Sequence, residues 1–489
     1  MFDLEKVYRY IDDHLDEHTT KLQELLRQSS SSKTDPEGTR QCAHLVRKYL
    51  TDLGCNKVEF FESGITTYLG WPGYPVVYAE YDAHADKTLL IYLVYDTQPF
   101  EADKWISHPL EANLVDADYL GKCIVARGAV NQKGPLGAFL NAVEAVKATG
   151  QELPVNLKFV ADGEREELMS PSLTRFIEER KDRLRVDAVF YPQCSQGRDN
   201  KVRMVLGYKG TYGFALECKG GEWGGPTRTN VSPSDQAWVD NPAWRLVQAL
   251  CTMYDAKNHK ILIEGWYDDV SLPSEEDMQL IDKLLETFEE EKAKERLGVK
   301  RFVHDLHGKE LLLQYLYSTE LIIYHIHAGP PGTSSLIITG LVPWKANMRM
   351  NIRLVPEQSA EKVIPMIRDH LDKHGFSDIE IVQPLGYPWS KVSVRESIVQ
   401  AMIRTCREFG YEPEIWPHST GSAPHYLFSH EDYLNVPSLA GGLGHGGCAH
   451  APNEYFVIEG KGEIQGLAEC EKSYVALLNY FAECEANHD

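Results

Sequence analysis

The order of strand-like and helix-like segments changes once along the chain and then returns, and this constrains the fold more than any other feature. Up to Gly207, apolar runs typical of buried strands alternate with amphipathic helix patterns, as in layered α/β domains. These runs are VEFF, YPVVYAE, TLLIYLVY, VNLKFVAD and VDAVFYPQ. After Gly207 the order becomes strand, helix, strand, helix, strand, and from about Val392 the first pattern resumes. The sequence therefore predicts an α/β domain into which a smaller α+β domain is inserted.

Helical spacing of apolar residues predicts three helices before the first strand. Two lie within the first 30 residues, and the third covers residues 39–53. The acidic segment SEEDMQLIDKLLETFEEEKAKERLG is predicted to be one exposed helix, because charged residues dominate it.

Composition excludes several classes of function. The chain has 50 Lys and Arg against 72 Asp and Glu, a formal net charge of −22, which argues against nucleic-acid binding. It contains no run of about 18 apolar residues that would span a membrane, and its first residues lack the apolar core of a signal peptide. The ten cysteines are scattered, without a Cys-x-x-Cys pair. Reduced thiols and a cytoplasmic location are expected.

Eight segments, in this order, carry a resemblance to a known family: YDTQP, ARGAVNQKGP, DGEREE, LGYKGTYGF, GWYDDV, NIRLVP, TGSAP and AHAPNE. Together they resemble the carnosine dipeptidase/aminoacylase/succinyl-diaminopimelate desuccinylase superfamily of di-zinc metallopeptidases, in its carnosinase-type branch. The resemblance implies a catalytic-type α/β domain of residues 1–207 and 388–489. It also implies a lid domain of residues 208–387 through which the chain forms a homodimer.

The same resemblance implies five metal ligands, and most of their positions carry other residues here. The first ligand histidine is replaced by Val94, the bridging aspartate by Asn131 and a further aspartate by Gln193, whereas the last ligand histidine is retained as His450. Asp96, in the motif YDTQP, is also retained. A valine has no lone pair, and a neutral amide brings no charge to offset a cation. The sequence therefore predicts no metal ligands and no cofactor, with zinc unexpected.

The segment DGEREELM allows two alignments with the family's Glu-Glu pair of base and ligand. Without a gap, Arg165 takes the position of the base and Glu166 that of the ligand. With a shift of one residue, the pair is Glu166 and Glu167. Arg165 either places a positive charge beside the old metal position, where it would hold a carboxylate or oxyanion, or points to solvent.

Other matching positions concern the substrate. Arg353 matches the lid arginine that binds a substrate carboxylate, and Gly421 and Ser422 match a turn beside the substrate backbone. His418 stands where the family has an arginine. Asn131 and Gln193 keep hydrogen-bonding ability. The lid histidine that stabilises an oxyanion in relatives has no counterpart in KGGEWGGPTRTN.

Three functions follow as alternatives. The first is an enzyme acting on a carboxylate-bearing amino-acid-like or peptide-like molecule by metal-independent acid-base chemistry, through Asp96, Arg165, Glu166, Glu167 and His450. The reaction would be amide or ester hydrolysis, transfer or cyclisation. The second is a non-catalytic binding protein or an inactive subunit of a dipeptidase complex. The third is a metal-dependent dipeptidase or amidohydrolase with unconventional ligands.

Overall fold

The computed structural model describes residues 2–329 and 340–484. Its helices are α1 (Leu4–Asp13), α2 (Leu15–Arg27), α3 (Pro36–Asp52), α4 (Lys133–Ala148), α5 (Pro171–Arg180), α6 (Pro242–Met253), α7 (Glu275–Leu285), α8 (Glu290–Leu297), α9 (Gly308–Tyr317), α10 (Ala360–Lys373), α11 (Ser397–Glu408), α12 (Tyr426–Ser429) and α13 (Leu467–Glu483).

The first ten strands are β1 (Lys57–Phe61), β2 (Val76–Tyr81), β3 (Thr88–Val94), β4 (Asn113–Ala117), β5 (Gly121–Val125), β6 (Asn156–Asp162), β7 (Ala188–Pro192), β8 (Arg203–Val205), β9 (Gly207–Tyr208) and β10 (Gly210–Lys219). The others are β11 (Tyr254–Asp255), β12 (Lys260–Ile261), β13 (Glu320–Ala328), β14 (Lys345–Leu354), β15 (Glu380–Tyr387), β16 (Ser390–Lys391), β17 (Glu414–Trp416), β18 (Ser438–Gly441), β19 (Gly446–Gly447) and β20 (Tyr455–Gly460).

The chain forms two compact units. The first comprises the residues up to Gly207, Val392–Pro417 and the residues from Pro424 onward; the second comprises Tyr208–Lys391 and His418–Ala423. The predicted α/β architecture with an inserted α+β domain is confirmed. Among the described residues, no helix is long and apolar enough to cross a membrane.

The first unit is built on a six-stranded sheet of order β1-β2-β6-β3-β7-β18. Strand β3 runs parallel to β6 and β7, and β7 runs parallel to β18. Their carboxyl ends therefore meet at one edge, where Val94 pairs with Asp162. The residues that follow these strands are brought together at this edge, as in other open α/β sheets.

The burial of strand β3 and helix α4 matches the apolar residues of their sequences. Strand β3 is buried on both faces, which matches its nearly continuous run of apolar residues. Helix α4 is buried around most of its circumference, and its Phe139 ring lies 5.5 Å from the ring of Tyr474 on α13. Such aromatic pairs stabilise a core by about 0.5–1.5 kcal/mol beyond the area they bury.

A smaller antiparallel sheet of order β19-β20-β5-β4 completes the first unit. Tyr455 at the start of β20 pairs with Val125 at the end of β5. The loop that leaves β5 and the loop that enters β20 are therefore neighbours.

The second unit contains an antiparallel sheet of order β13-β14-β10-β15. Helices α6 and α10 pack against this sheet. Its core includes Leu216 on β10, Met348 and Ile352 on β14, Leu246 on α6 and Ile367 on α10. The α+β arrangement follows from the alternating burial along β14, one face of which is apolar.

Candidate functional site

Glu166 lies at the centre of a polar cluster beyond the carboxyl end of β6. Its buried carboxylate accepts hydrogen bonds from Asn131 Nδ2 at 2.7 Å and Gln132 Nε2 at 3.3 Å, and it forms an ion pair with Arg165. His450 Nε2 lies 3.1 Å from the carboxylate oxygen that Asn131 contacts. Gln98 Nε2 also lies 3.5 Å from Glu166 Oε2, so five nitrogen-bearing side chains converge on one carboxylate.

The electrostatics of Glu166 reflect these neighbours. Burial alone would raise the pKa of Glu166, but the Arg165 guanidinium and His450 hold that pKa at about 2. The carboxylate is therefore ionised at neutral pH, and its charge balances that of Arg165.

Asp96 follows β3 and is fully buried beside Glu166. Its Oδ2 accepts hydrogen bonds from Ser32 Oγ at 3.1 Å and from the backbone N–H of Glu166 at 3.0 Å. Its Oδ1 is buried and has no hydrogen-bond partner among the described residues. Burial, followed by the charge of Glu166, raises the pKa of Asp96 well above its usual range. Its surroundings therefore favour the protonated form of Asp96 more than water does.

Arg165 points into the protein and not to solvent. Its side chain is 16% exposed, and its guanidinium carbon lies 5.9 Å from the ring centre of Tyr191 on β7. The solvent-facing alternative is wrong for this side chain. Arg165 instead places a fixed positive charge at the sheet edge.

Glu167 makes its hydrogen bonds to the loop before α3 and not to Glu166. Its Oε2 accepts hydrogen bonds from Ser31 Oγ and from the backbone N–H of Lys33, both at 2.9 Å. It therefore fixes the loop before α3, whereas Glu166 faces Asp96 and Asn131. This placement supports the alignment without a gap, in which Arg165 takes the position of the base.

Amide side chains form the rest of the network. Gln132 Nε2 donates to Asn131 Oδ1 at 2.6 Å, and the Tyr191 hydroxyl donates to Gln132 Oε1. Gln193 is held through its backbone, because its carbonyl accepts a hydrogen bond of 3.1 Å from the Tyr474 hydroxyl. Asn131 therefore belongs to the cluster through its side chain, whereas the contacts that define Gln193 are those of its main chain.

His450 lies on a loop with left-handed backbone conformation, at φ +62°, and its side chain is 57% exposed. The nearby His445 is buried, and its two ring nitrogens lie 2.8 Å from the Gln196 carbonyl and 3.1 Å from the Tyr455 hydroxyl. His445 thus orders the interior of the loop. In residues 2–329 and 340–484, no group of three or more His, Cys, Asp or Glu side chains is placed to hold a metal ion.

The second unit brings together two of the residues proposed for substrate binding. Arg353 Nη1 on β14 donates a hydrogen bond of 2.8 Å to Ser422 Oγ, and the Gly421 N–H donates one of 3.0 Å to Ser419 Oγ. His418 is buried against Tyr317, with ring centres 4.9 Å apart, and burial lowers its pKa to about 4. His418 is therefore a neutral side chain at pH 7 that packs inside this unit.

Two residues that shape the site are absent from the sequence-based predictions. Gln132 contacts Asn131, Tyr191 and Glu166, and Glu454 binds the backbone of the loop that carries Asn131. Gln132 lies in the motif ARGAVNQKGP, and Glu454 lies in AHAPNE. Their place in motifs that also contain Asn131 and His450 was the feature of the sequence that could have indicated them.

Comparison with known proteins assigns the family. The family model described as Peptidase family M20/M25/M40 matches residues 91–479. The chain belongs to this peptidase family. It is similar to the human Beta-Ala-His dipeptidase, with 29% identity over 434 residues that cover 84% of this chain and 81% of the relative. It is also similar to the Cys-Gly metallodipeptidase of Saccharomyces cerevisiae, with 26% identity over 464 residues that cover 91% of each chain.

Solved structures agree with this family assignment. An M20 family metallo-carboxypeptidase from Sulfolobus solfataricus superimposes with a TM-score of 0.81 at 29% identity, covering 96% of this chain and 100% of that structure. Human carnosine dipeptidase 1 superimposes with a TM-score of 0.78 at 25% identity, covering 98% and 99%. The chain therefore has the fold of a hydrolase family over the described residues.

The comparisons correct one prediction. The expectation of no cofactor, with zinc unexpected, is wrong, because the relatives are a metallodipeptidase and a metallo-carboxypeptidase. That expectation rested on the missing lone pair of Val94 and on the missing negative charge of Asn131 and Gln193. Divalent cations also accept neutral amide oxygens alongside carboxylates, so replacing aspartate by an amide does not by itself remove metal binding.

Proposed function

We propose that this protein is a metal-dependent hydrolase that cleaves the amide bond of a dipeptide-like substrate, with unconventional metal ligands. The observation that carries the proposal is the convergence of Asp96, Asn131, Arg165 and His450 around Glu166 at the carboxyl edge of the sheet. Relatives that act on dipeptides support the substrate class.

The residues fit a metal ion only in part. Asp96 Oδ1 is a buried carboxylate oxygen without a hydrogen-bond partner among the described residues, and this is the kind of atom that a cation would satisfy. Both oxygens of Glu166, however, already accept protein donors. The described side chains do not form a ready metal centre, and we assign no step of the reaction to the ion. A bound divalent ion supplies an acidified water or polarises a carbonyl.

The protein's own groups offer two further contributions. The Arg165 guanidinium, with the Gln132 amide beside it, supplies positive charge and N–H donors where negative charge develops on a substrate carbonyl oxygen. Asp96, whose pKa is raised, can donate a proton to the leaving amine or accept one from water.

Arg353 is the group we propose for the substrate carboxylate. Among residues 2–329 and 340–484, its guanidinium donates one side-chain hydrogen bond, to Ser422 Oγ at 2.8 Å. That leaves other N–H groups of the guanidinium available for a bidentate pair with a carboxylate.

We also propose that the protein is a cytoplasmic homodimer formed through the second unit. Strand β13 is the edge strand of its sheet, and Ile322, Tyr324 and Ile326 on it are 36%, 61% and 58% exposed. Exposed apolar edges of this kind are normally covered. All ten cysteines are free thiols, in keeping with a reducing compartment.

A second candidate is a binding protein without turnover, or an inactive subunit of a dipeptidase complex. One observation favours it: Arg165 takes the position of the base and neutralises Glu166. Such a protein would bind a dipeptide and leave it intact.

The experiment that separates the two uses the purified full chain with β-alanyl-histidine and cysteinyl-glycine, each with added Zn²⁺, Mn²⁺ or Co²⁺. Hydrolase function predicts release of free amino acids, loss of release with a chelator and recovery when the metal is returned. Dipeptide binding measured by calorimetry with no amino-acid release under any of these conditions would select the second candidate.

A further inference from the structure

The buried carboxylate of Glu454 binds the loop that leaves β5. Its Oε1 accepts hydrogen bonds from the backbone N–H groups of Val130 at 3.0 Å and Asn131 at 2.8 Å. Its Oε2 accepts the N–H of Gly128 at 3.0 Å and Arg127 Nη1 at 2.7 Å. Three backbone N–H donors of one loop, and one side chain, are thus satisfied by a single residue from another loop.

Arg127 links this carboxylate to the second loop. Its Nη2 donates a hydrogen bond of 3.3 Å to the carbonyl of Ala451, one residue after His450. The guanidinium carbon also lies 5.0 Å from the ring centre of Trp105, over the ring. Arg127 and Glu454 together, which we call the loop clamp, hold residues 127–131 against residues 451–454.

The two loops carry the two groups that meet at one oxygen of Glu166. Asn131 Nδ2 lies 2.7 Å from Glu166 Oε2, and His450 Nε2 lies 3.1 Å from the same atom. The second loop holds left-handed backbone at His450 and Asn453, with φ of +62° and +60°. Such a conformation persists only where surrounding contacts fix it.

We infer that Glu454 is a positioning residue that, through Arg127, sets the separation of Asn131 and His450 around Glu166. This role in turnover rests on the proposed function, whereas the ordering of the two loops does not. The bidentate use of Glu454, with each oxygen accepting two donors, cannot be reproduced by an amide.

The test compares Glu454→Gln with Glu471→Gln as a matched control. Glu471 is also fully buried and paired, to His18 Nδ1 at 2.6 Å and Asn141 Nδ2 at 2.9 Å, but it lies on α13 and contacts neither loop. Amide hydrogen exchange of residues 127–131 and 449–454 is measured on both variants, together with kcat and KM for the dipeptide that the wild type cleaves.

The loop clamp predicts that Glu454→Gln raises exchange of the Gly128, Val130 and Asn131 amides by about tenfold or more, since bonds to a charged acceptor are lost. It predicts a fall in kcat of roughly 10- to 100-fold with a smaller change in KM. Glu471→Gln should leave both loop exchange and kcat unchanged. If Glu454→Gln does not fold, Arg127→Lys, which keeps the charge and loses the bond to Ala451, takes its place.

The outcomes distinguish the loop clamp from the proposed hydrolase function. Unchanged loop exchange in Glu454→Gln, or equal effects in both variants, would overturn the loop clamp. A wild type without turnover would overturn the proposed function, and the exchange data would still decide whether Glu454 orders the loops. Faster exchange with unchanged kcat would overturn the positioning role in catalysis.

Discussion

Replacing Arg165 by methionine tests the charge balance at the centre of the site. Glu166 is fully buried and Arg165 is 16% exposed, so their ion pair is largely removed from water. Removing one partner of a buried pair leaves an uncompensated charge and costs about 3–5 kcal/mol. For a unit of this size, that lowers the melting temperature by roughly 6–10 °C at pH 7.

The pH dependence provides a second readout. The pKa of Glu166 is about 2 in the folded protein against a usual 4.5. Because the folded-state pKa is depressed, the stabilisation is complete above pH 4.5 and is lost as pH falls towards 2. It amounts to about 3 kcal/mol. In Arg165→Met the largest cause of the low Glu166 pKa is removed, so the difference in stability between the variant and the wild type should narrow as pH falls below 4.5.

Calorimetric unfolding of the full chain at pH 7 and at pH 4 measures both effects. Arg175→Met is a matched control, since its pair with Glu179 on α5 is exposed, at 50% and 39%. Such exposed ion pairs contribute about 0–1 kcal/mol to the free energy of unfolding. Equal melting temperatures for the two variants at pH 7, or a difference independent of pH, would refute the reasoning.

Two further predictions concern single side chains. Burial is the largest cause that raises the pKa of Glu164, to about 7. Folding stability should therefore fall by roughly 3 kcal/mol as pH rises from 4.5 to 7, and Glu164→Gln should remove this pH dependence. Parallel curves of stability against pH for the wild type and the variant would contradict this. Arg353→Ala should raise KM for a dipeptide by about 10- to 100-fold, whereas the same change at the exposed His44 should not; steady-state kinetics that show equal effects would exclude Arg353 from the site.

The layered fold was predictable because its central strands are apolar on both faces. Strand β3 and its neighbours β6 and β7 each read as a buried run bounded by polar residues, and parallel order then places their carboxyl ends together. Segment His418–Ala423 lies with the second unit although its neighbours lie with the first, and no local pattern signals this.

The acidic segment shows where local patterns fall short. Charge density predicted one exposed helix, but the structure has two, α7 and α8. Helix α7 begins at a capping box formed by Ser274 and Asp277, and it buries Leu280, Ile281 and Leu284. The apolar side chains at helical spacing outweigh the flanking charges, because burying each contributes more than a solvated charge does.

The sequence predicted which residues form the candidate site better than it predicted the contacts between them. Motif positions pointed to Asp96, Asn131 and His450, which the structure places around Glu166. The orientation of Arg165 and Glu167 depends on three-dimensional partners, Tyr191 for one and Ser31 for the other. These partners are distant in sequence, so spacing alone left the alignment open.

The metal content of the full chain, purified without chelator or affinity metal, tests the central claim most directly. Metal-dependent hydrolysis predicts about one or more equivalents of zinc, manganese or cobalt per chain, with dipeptide turnover that follows the metal content. Less than about a tenth of an equivalent, with no ion taken up on addition, would contradict the account.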